Sequence, residues 1–346
     1  MKYISFLIPC YNSESYIDRC VRSLLTAGEN AEIIIVNDGS TDRTREIAEA
    51  YAAQYPDIIR VVNQPNGGHG SAVNKGIELA GGVYFKVVDS DDWLDPKALE
   101  VLMARLEVFC RQTPETGGGP APDLVICNYV YDHLLEGKTH TISYRQVLRS
   151  NVVCGWEDLR RFFISQYFIM HSLIYRTAVL KACGIVLPLH TYYEDNLYSY
   201  QPLPWVDRLY YIDIDLYHYF IGRSDQSVNE AVMTKNIDHQ LLVTDLMTRA
   251  ADLQSVRSKS VKLANYMRRY LAMMYAITMV LLMIIDTDKS IGQCDELWDR
   301  LKEQDAGLYR ELRYRSISAF TRFNGKTGRR VIVSGYRLAR RIYKFN

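Results

Sequence analysis

Residues 87–96 read VVDSDDWLDP. This stretch ends an apolar run and then sets three carboxylates, those of Asp89, Asp91 and Asp92, within four positions. Carboxylates this close repel one another, so a folded chain rarely keeps them together without a positively charged partner. The stretch therefore predicts the end of a buried strand at which positive charge is required.

A helix start accounts for part of this acidic run. Asp92 or Asp95 could cap a helix whose first turn contains Pro96, because acidic side chains favour the positive end of a helix. Asp89 and Asp91 come before that helix, so the cap does not account for them. A second explanation is needed for these two carboxylates.

A divalent cation is the second explanation. A calcium loop is excluded, because Trp93 and Leu94 fill positions that require a ligand and a turn glycine. The hypothesis that remains is Mg²⁺ or Mn²⁺, held by one or two carboxylates and shared with a substrate diphosphate. In that role the ion neutralises charge on a departing diphosphate.

Strand-like and helix-like runs alternate before this stretch. Strands are predicted at 3–8, 32–36, 58–62 and 83–88, and helices at 15–27, 41–55 and 70–80. The alternation predicts an α/β fold, a Rossmann-like and mostly parallel sheet with helices on both faces. A polar cluster follows each strand, and ligands bind beyond the carboxyl ends of strands in such sheets. The sequence therefore predicts one site along one edge.

Four segments carry a family resemblance: SFLIPCYN, EIIIVNDGSTDRT, NGGHGSAVNKGIELAGG and VVDSDDWLDP. In this order and spacing they resemble the family 2 nucleotide-sugar glycosyltransferases, which have the A-type glycosyltransferase fold. The resemblance is close over about the first hundred residues and looser to about residue 228. It implies a metal-dependent inverting transferase, of the hexosyltransferase type, that moves a sugar from a nucleotide sugar, usually a UDP-sugar, to a hydroxyl acceptor.

The resemblance also implies a role for individual residues. Asp91 would be the direct ligand of Mg²⁺ or Mn²⁺, and Asp89 would contact the metal shell or the ribose. Asp38 would accept a hydrogen bond from the base, as a uracil imide N–H requires. The donor-binding residues as a group would be Pro9, Tyr11, Asn12, Asp38, Gly67, Gly68, Lys75, Asp89 and Ser90.

Three positions depart from the family pattern or are ambiguous within it. Many relatives carry an arginine where this chain has Val73, so His69 or Lys75 could meet phosphate or sugar instead. His171 and Arg223 fall where relatives often place acceptor or diphosphate contacts. An ordinary buried histidine and a surface arginine are equally good interpretations of these two.

An acidic pair, Glu194 and Asp195, stands in TYYEDNLYSYQPL beyond the predicted sheet. Alone, such a pair would indicate a solvated helix start. After an Asp-rich strand end, the resemblance implies that Asp195 is the general base for the acceptor hydroxyl. Glu194 would position the acceptor or the base, and a base near the reacting hydroxyl is what the chemistry requires.

The chain is expected to contain two domains. Residues 1–228 would form the catalytic domain, with a nucleotide-sugar half at about 1–110 and an acceptor half at about 123–228, and residues 229–346 a helical region. A sixteen-residue uncharged run at 270–285 would reach only about 24 Å as a helix, short of a bilayer core of roughly 30 Å. It is therefore predicted to be a buried or interfacial helix.

The carboxyl terminus is strongly basic. From Arg310 to Asn346 there are eleven Lys or Arg and one acid, so this segment is about +10 and the remainder about −9. A basic amphipathic tail at 329–346 is predicted to bind an anionic membrane; the alternative is a helix packed on the protein's own acidic remainder. Nucleic acid is not an expected partner, because no recognised binding module accompanies the patch.

Location and competing functions complete the prediction. Scattered cysteines without a CxxC motif, and an amino terminus unlike a signal peptide, favour the cytoplasm, at the inner face of the membrane. The acceptor would be a glycan or a lipid-linked molecule in polysaccharide or glycolipid synthesis. The alternatives are a sugar nucleotidyltransferase and a catalytically silent membrane-associated scaffold with the same fold.

Overall fold

The computed structural model describes residues 1–111, 121–133, 137–163, 166–221, 229–322 and 325–343, with side chains described to residue 338. The chain divides into two compact units, Met1–Gly222 and Arg223–Asn346. The predicted boundary at residue 228 lies outside the described residues.

The amino-terminal half of the first unit, residues 1–111, is built on a parallel sheet. Its elements are β1 (Ile4–Cys10), α1 (Ile17–Leu25), β2 (Ala31–Asp38), α2 (Thr44–Gln54), β3 (Ile59–Gln64), α3 (His69–Leu79), β4 (Tyr84–Val87), β5 (Trp93–Leu94) and α4 (Pro96–Arg111). The strands β3-β2-β1-β4 lie in that order and pair in parallel. Right-handed crossovers place α1 and α2 on one face and α3 on the other, because the chain changes direction across the sheet after β3.

The two central strands, β1 and β2, are buried along almost their whole length. Every residue of β1 is buried, and so is every residue of β2 except Glu32. A strand covered by helices on both faces has no solvent side, so it requires a continuous apolar run rather than an alternating one. The run EIIIV therefore forms a central strand.

The second half of the first unit, residues 121–221, completes the sheet. It contains β6 (Leu124–His133), β7 (Lys138–Ile142), β8 (Val153–Cys154), β9 (Leu173–Arg176), α5 (Thr177–Ala182), α6 (Asp195–Tyr200) and β10 (Leu209–Phe220). The full order is β3-β2-β1-β4-β9-β6-β10-β5, with β7 on β6 and β8 on β10.

The predicted fold class is confirmed, but the sheet is parallel without interruption only across β3-β2-β1-β4. Strand β9 is antiparallel to both of its neighbours, β4 and β6, whereas β6 and β10 are parallel. Side chains alternate between the two faces of a strand in either chain direction. The apolar pattern of β9 therefore predicts a strand but not its orientation.

The second unit is helical in the residues described. It contains α7 (Glu230–Lys235), α8 (Ile237–Arg249), α9 (Leu253–Lys259), α10 (Val261–Ile285), α11 (Asp288–Gln304), α12 (Ala306–Arg315), a 3-10 helix (Ile317–Arg322) and α13 (Lys326–Tyr343). The long helix α10 packs against α8, α9, α11 and α13.

The length predicted for the apolar helix was wrong. Helix α10 has 25 residues because it begins at Val261 and includes Arg268 and Arg269. At about 1.5 Å per residue it is about 37 Å long, enough to cross a bilayer by length and composition. However, 67% of its most apolar window is buried inside the protein. That burial fits the predicted core helix.

Helix α13 is partly covered by the protein itself. Ile332 packs in a buried cluster with Val280 and Met283 of α10, and Tyr336 packs against that cluster. The alternative of a tail packed on its own protein therefore holds for this part of the apolar face. Leu338 on the same predicted face is 58% exposed.

Candidate active site

The four polar segments after the parallel strands meet at one edge of the sheet, as predicted. Cys10 at the end of β1 pairs with Asn37 at the end of β2. The side chain of Asn12, just after β1, accepts a hydrogen bond of 2.8 Å from the backbone N–H of Thr41. These contacts tie the strand ends into one surface, because the carboxyl ends of parallel strands lie side by side.

Asp38 organises the glycine-rich turn that precedes α3. Its Oδ1 accepts hydrogen bonds from Gly67 N at 2.9 Å and Gln64 Nε2 at 2.7 Å, and its Oδ2 accepts one from Gly68 N at 2.7 Å. Gly68 has φ +84°, and a Cβ there would lie 2.8 Å from the backbone nitrogen of His190. The turn therefore needs glycine for both conformation and space. The predicted contact of Asp38 with the base remains a prediction.

The other predicted donor residues take different positions along this edge. Pro9 is buried within β1, whereas the Tyr11 side chain is 55% exposed. Ser90 lies in the acidic turn after β4, with its Oγ 2.7 Å from that of Ser13. Lys75 is bound to Glu78 of its own helix at 2.6 Å. Ser90 therefore lies at the predicted edge of the sheet, whereas Lys75 forms an ion pair with Glu78 within α3.

Asp92 and Asp95 anchor the acidic turn. Asp95 Oδ1 accepts a hydrogen bond of 2.8 Å from Ala98 N, so Asp95 caps α4. Asp92 is fully buried and accepts from Phe220 N at 2.8 Å and from the Tyr217 hydroxyl at 2.5 Å. The idea that Asp92 caps the helix was therefore wrong. Burial, followed by the charges of Asp91 and Asp89, raises the pKa of Asp92 well above its usual range.

Asp89 and His171 form the part of the site that could hold a metal ion. Ligand atoms of Asp89, Asp92 and His171 all lie within 4.8 Å of one another. Among the described residues His171 Nδ1 is buried without a hydrogen-bond partner, 3.9 Å from Asp89 Oδ2. Burial lowers the pKa of His171 to about 4 against the opposing charge of Asp89, so the ring is neutral and able to coordinate.

Asp91 does not belong to this group of ligand atoms. The predicted direct ligand is half-buried, and its backbone carbonyl accepts a hydrogen bond of 2.7 Å from Arg19. Its role at the metal stays a prediction. His171, which the sequence left open, is placed against Asp89 with its ring stacked on Tyr217 at a centroid distance of 4.5 Å.

His69 joins the strand-end acid to the distant acidic pair. Its Nε2 lies 3.0 Å from Asp89 Oδ1 and its Nδ1 lies 2.7 Å from Glu194 Oε1. Burial would lower the pKa of His69, but hydrogen bonds to the two carboxylates outweigh it and raise that pKa well above its usual range. Sequence reasoning noted His69 only as a possible cation and missed this bridge.

The segment before the acidic pair is fastened to the amino-terminal half by backbone atoms. Asn74 of α3 donates from Nδ2 to Leu187 O at 2.9 Å and accepts from Leu187 N at 2.8 Å. The N–H of His190 donates to Gly67 O at 2.7 Å. His190 and Tyr193 have φ values of 47° and 70°, so strained backbone immediately precedes the pair.

Asp195 has the electrostatics of a proton acceptor. It is the first residue of α6, and its Oδ1 accepts a hydrogen bond of 3.3 Å from Asn196. Burial and then the charge of Glu194 raise the pKa of Asp195 to about 7, although the charge of His69 opposes them. A carboxyl group with this pKa can accept a proton near neutral pH.

Arg223 lies outside the described residues, so its predicted contact with the acceptor or the diphosphate stays a prediction.

The sequence is similar to those of known glycosyltransferases. Residues 5–111 match the family model described as Glycosyl transferase family 2. EpsH of Bacillus subtilis (strain 168), named as a glycosyltransferase, is 32% identical over 262 residues, which are 72% of this chain and 69% of EpsH. Chondroitin synthase of Pasteurella multocida (strain Pm70) is 32% identical over 158 residues, 44% of this chain and 16% of that protein.

A solved structure with the same fold is S. aureus TarS in complex with UDP-GlcNAc. It matches with a TM-score of 0.62 at 21% identity, over 98% of this chain and 92% of that one. The fold and the strand-end carboxylates thus define an A-type glycosyltransferase. Within that class, the chain belongs to glycosyl transferase family 2.

Proposed function

We propose that the protein is an inverting glycosyltransferase that moves a hexosyl group from a UDP-sugar to a hydroxyl acceptor with a divalent cation. The observation that carries the proposal is His69, which contacts both Asp89 and Glu194 through its two ring nitrogens. One side chain thereby joins the carboxylate predicted to meet the donor to the pair predicted to meet the acceptor. Both substrates can therefore occupy one site.

A UDP-sugar donor is supported by the likeness to TarS, whose structure was solved with UDP-GlcNAc. The exposed ring of Tyr11 stands at the end of β1, where a base could stack on it. Asp38 Oδ2 accepts a hydrogen bond from Gly68 and keeps further acceptor capacity for a uracil imide N–H.

A divalent cation, Mg²⁺ or Mn²⁺, fits the residues present. Asp89 and Asp92 supply carboxylate oxygens, and His171 supplies a buried nitrogen that lacks a partner among the described residues. Asp91, on the same turn, is the ligand that the family resemblance implies. When bound, the ion would neutralise charge on the departing diphosphate.

Asp195 would act as the general base. The acceptor hydroxyl oxygen forms a bond to the anomeric carbon while the bond from that carbon to the diphosphate oxygen breaks. The hydroxyl proton passes to Asp195, and UDP leaves with the bonding electron pair. Attack from the face opposite the diphosphate inverts the anomeric configuration.

The acceptor would be a glycan or a lipid-linked molecule, and likeness to a chondroitin synthase supports polysaccharide synthesis. We place the protein in the cytoplasm, at the inner face of the cell membrane. Lys326, Arg330 and Arg337 are exposed on α13, together with the apolar side chains of Val331 and Leu338. Such a surface suits an anionic headgroup layer.

Liposome flotation tests the membrane proposal. Truncation before α13 would remove Ile332 from its buried cluster, so charge reversal is the better variant. At about 1 kcal/mol per basic residue, the pair Lys326→Glu and Arg330→Glu should weaken binding to anionic vesicles roughly 30-fold or more. The control pair Lys289→Glu and Lys302→Glu makes the same charge change on α11 and should bind normally. Equal binding by both pairs would contradict the proposal.

Product analysis tests the enzymatic proposal. A panel of nucleotide sugars is incubated with the full chain, with Mn²⁺ and with a chelator. Metal-stimulated release of UDP is expected. A nucleotidyltransferase would instead form pyrophosphate from a nucleoside triphosphate and a sugar phosphate, and a silent scaffold would give neither product.

A further inference from the structure

His69 occupies the junction between the two predicted substrate sites. It is the first residue of α3 and follows Gly68, whose main chain is held by Asp38. Its side chain is 33% exposed, while the Glu194 side chain that it contacts is only 5% exposed. A buried carboxylate requires a partner, and the imidazole supplies one.

We propose that His69 is a positioning residue of the transfer reaction, with a separate task for each ring nitrogen. Nδ1 fixes Glu194 and with it the amino-terminal turn of α6, where Asp195 stands. Nε2 fixes Asp89, the carboxylate nearest to His171. The inference rests on the proposed function and assigns the acceptor side and the donor side to different atoms of one ring.

The surroundings of His69 support this division. Val73, where relatives often carry a cation, is fully buried, and Lys75 is paired with Glu78. Within α3, His69 is therefore the basic group that contacts both Asp89 and Glu194. Glu194 and Asp195 are adjacent, so a displaced Glu194 side chain moves the start of α6 and the base with it. Misplacement of a reacting group by about 1 Å can cost roughly 100-fold in rate.

Three substitutions separate the two tasks. The side-chain amide nitrogen of asparagine falls near Nδ1 of histidine, and that of glutamine falls near Nε2; both are donors. His69→Asn therefore retains the bond to Glu194, His69→Gln retains the bond to Asp89, and His69→Ala retains neither.

The measurements are kcat and donor KM for UDP release, with the nucleotide sugar that reacts fastest in the panel, and calorimetric binding of UDP with Mn²⁺. His69→Asn should keep kcat while donor KM rises about tenfold, the lower end of effects seen when a partner of a metal ligand is lost. His69→Gln should keep donor KM while kcat falls about tenfold or more. His69→Ala should show both changes.

Controls separate this inference from the proposed function. His140→Gln removes an exposed histidine on β7 and should match the wild type. If Asp195→Asn transfers sugar normally, the proposed function is wrong. If Asp195→Asn is inactive while all three His69 variants keep wild-type constants, only the inference is wrong. It is also overturned if the three variants change kcat, KM and thermal stability to the same extent, because His69 would then be a structural cross-link alone.

Discussion

Asp89 and Asp195 carry the same carboxyl group at opposite ends of the site, yet their pKa values move in opposite directions. Burial raises the pKa of both. At Asp89 the hydrogen bond and the charge of His69 outweigh burial, and the pKa is lowered. At Asp195 burial and the charge of Glu194 outweigh His69, and the pKa rises to about 7. Environments that separate two carboxyl pKa values in this way assign them different tasks.

The two halves of the first unit also differ in how they hold their carboxylates. Asp38, in the amino-terminal half, is held by the backbone N–H groups of Gly67 and Gly68 and by the side chain of Gln64. Glu194, in the second half, is held by the side chain of His69. Backbone donors fix a carboxylate more rigidly than a rotatable side chain does. This difference agrees with the proposed function, in which the amino-terminal half binds the donor and the second half accepts the proton.

Removing the predicted metal ligand should have the largest effect. Asp91→Ala is expected to abolish metal-dependent turnover, because Lewis-acid stabilisation of several kcal/mol corresponds to roughly 10³-fold or more in rate. UDP release across a Mn²⁺ titration measures it. Asp95→Ala, which loses only a helix cap, serves as the neighbouring control. Near-normal turnover of Asp91→Ala at limiting Mn²⁺ would assign the ion to Asp89, Asp92 and His171 without Asp91.

Removing the proposed base should have the next largest effect. Asp195→Asn is expected to lower kcat by roughly 10²-fold or more while the affinity for UDP is unchanged. The raised pKa means that the folded chain favours the protonated form, so ionisation destabilises it as pH rises from about 4 to 7. Thermal stability of the variant at pH 8 should therefore increase. A collapse of UDP binding would move Asp195 into the donor site.

The pH dependence should be smaller and gradual. Because Asp195 must be ionised to accept a proton, kcat/KM should fall about tenfold per pH unit below about pH 7 and level off above it. Initial rates at a fixed Mn²⁺ concentration, from roughly pH 5.5 to 8.5, measure this profile. Asp195→Asn should lose the slope, and a slope that survives in that variant would identify another base.

A substitution at Gly68, where the two halves of the first unit meet, should have the smallest effect, and that effect is on stability. Gly68→Ala and Gly28→Ala both force alanine into positive φ, at a cost of about 1–2 kcal/mol. Only Gly68→Ala also meets a backbone atom at 2.8 Å, that of His190. Urea unfolding should show the larger loss for Gly68→Ala. Equal losses of unfolding free energy in the two variants would mean that the backbone at His190 moves to admit the added methyl group at no cost.

The amino-terminal half was predictable because each of its strands and the polar residues that follow it are adjacent in the sequence. Asp38 and Asp89 each follow a continuous apolar strand, and parallel strands bring such residues together whatever the rest of the chain does. The acidic pair was found only through the family resemblance. The contact of His69 with Glu194 joins residues 125 positions apart, and neither has a local signal for the other. The direction of β9 and the start of α10 were missed for a related reason, since tertiary packing sets both.

The attachment of residues 187–193 to the amino-terminal half has a consequence for divergence within the family. The Asn74 side chain is hydrogen-bonded to the main chain of Leu187, and the Gly67 carbonyl accepts a hydrogen bond from the main-chain N–H of His190. Because these bonds use main-chain atoms of the segment, they do not depend on its side chains, such as those of the exposed Leu189 and Tyr192. The exposed side chains of the segment can therefore be replaced during divergence while its anchoring bonds to the amino-terminal half stay the same.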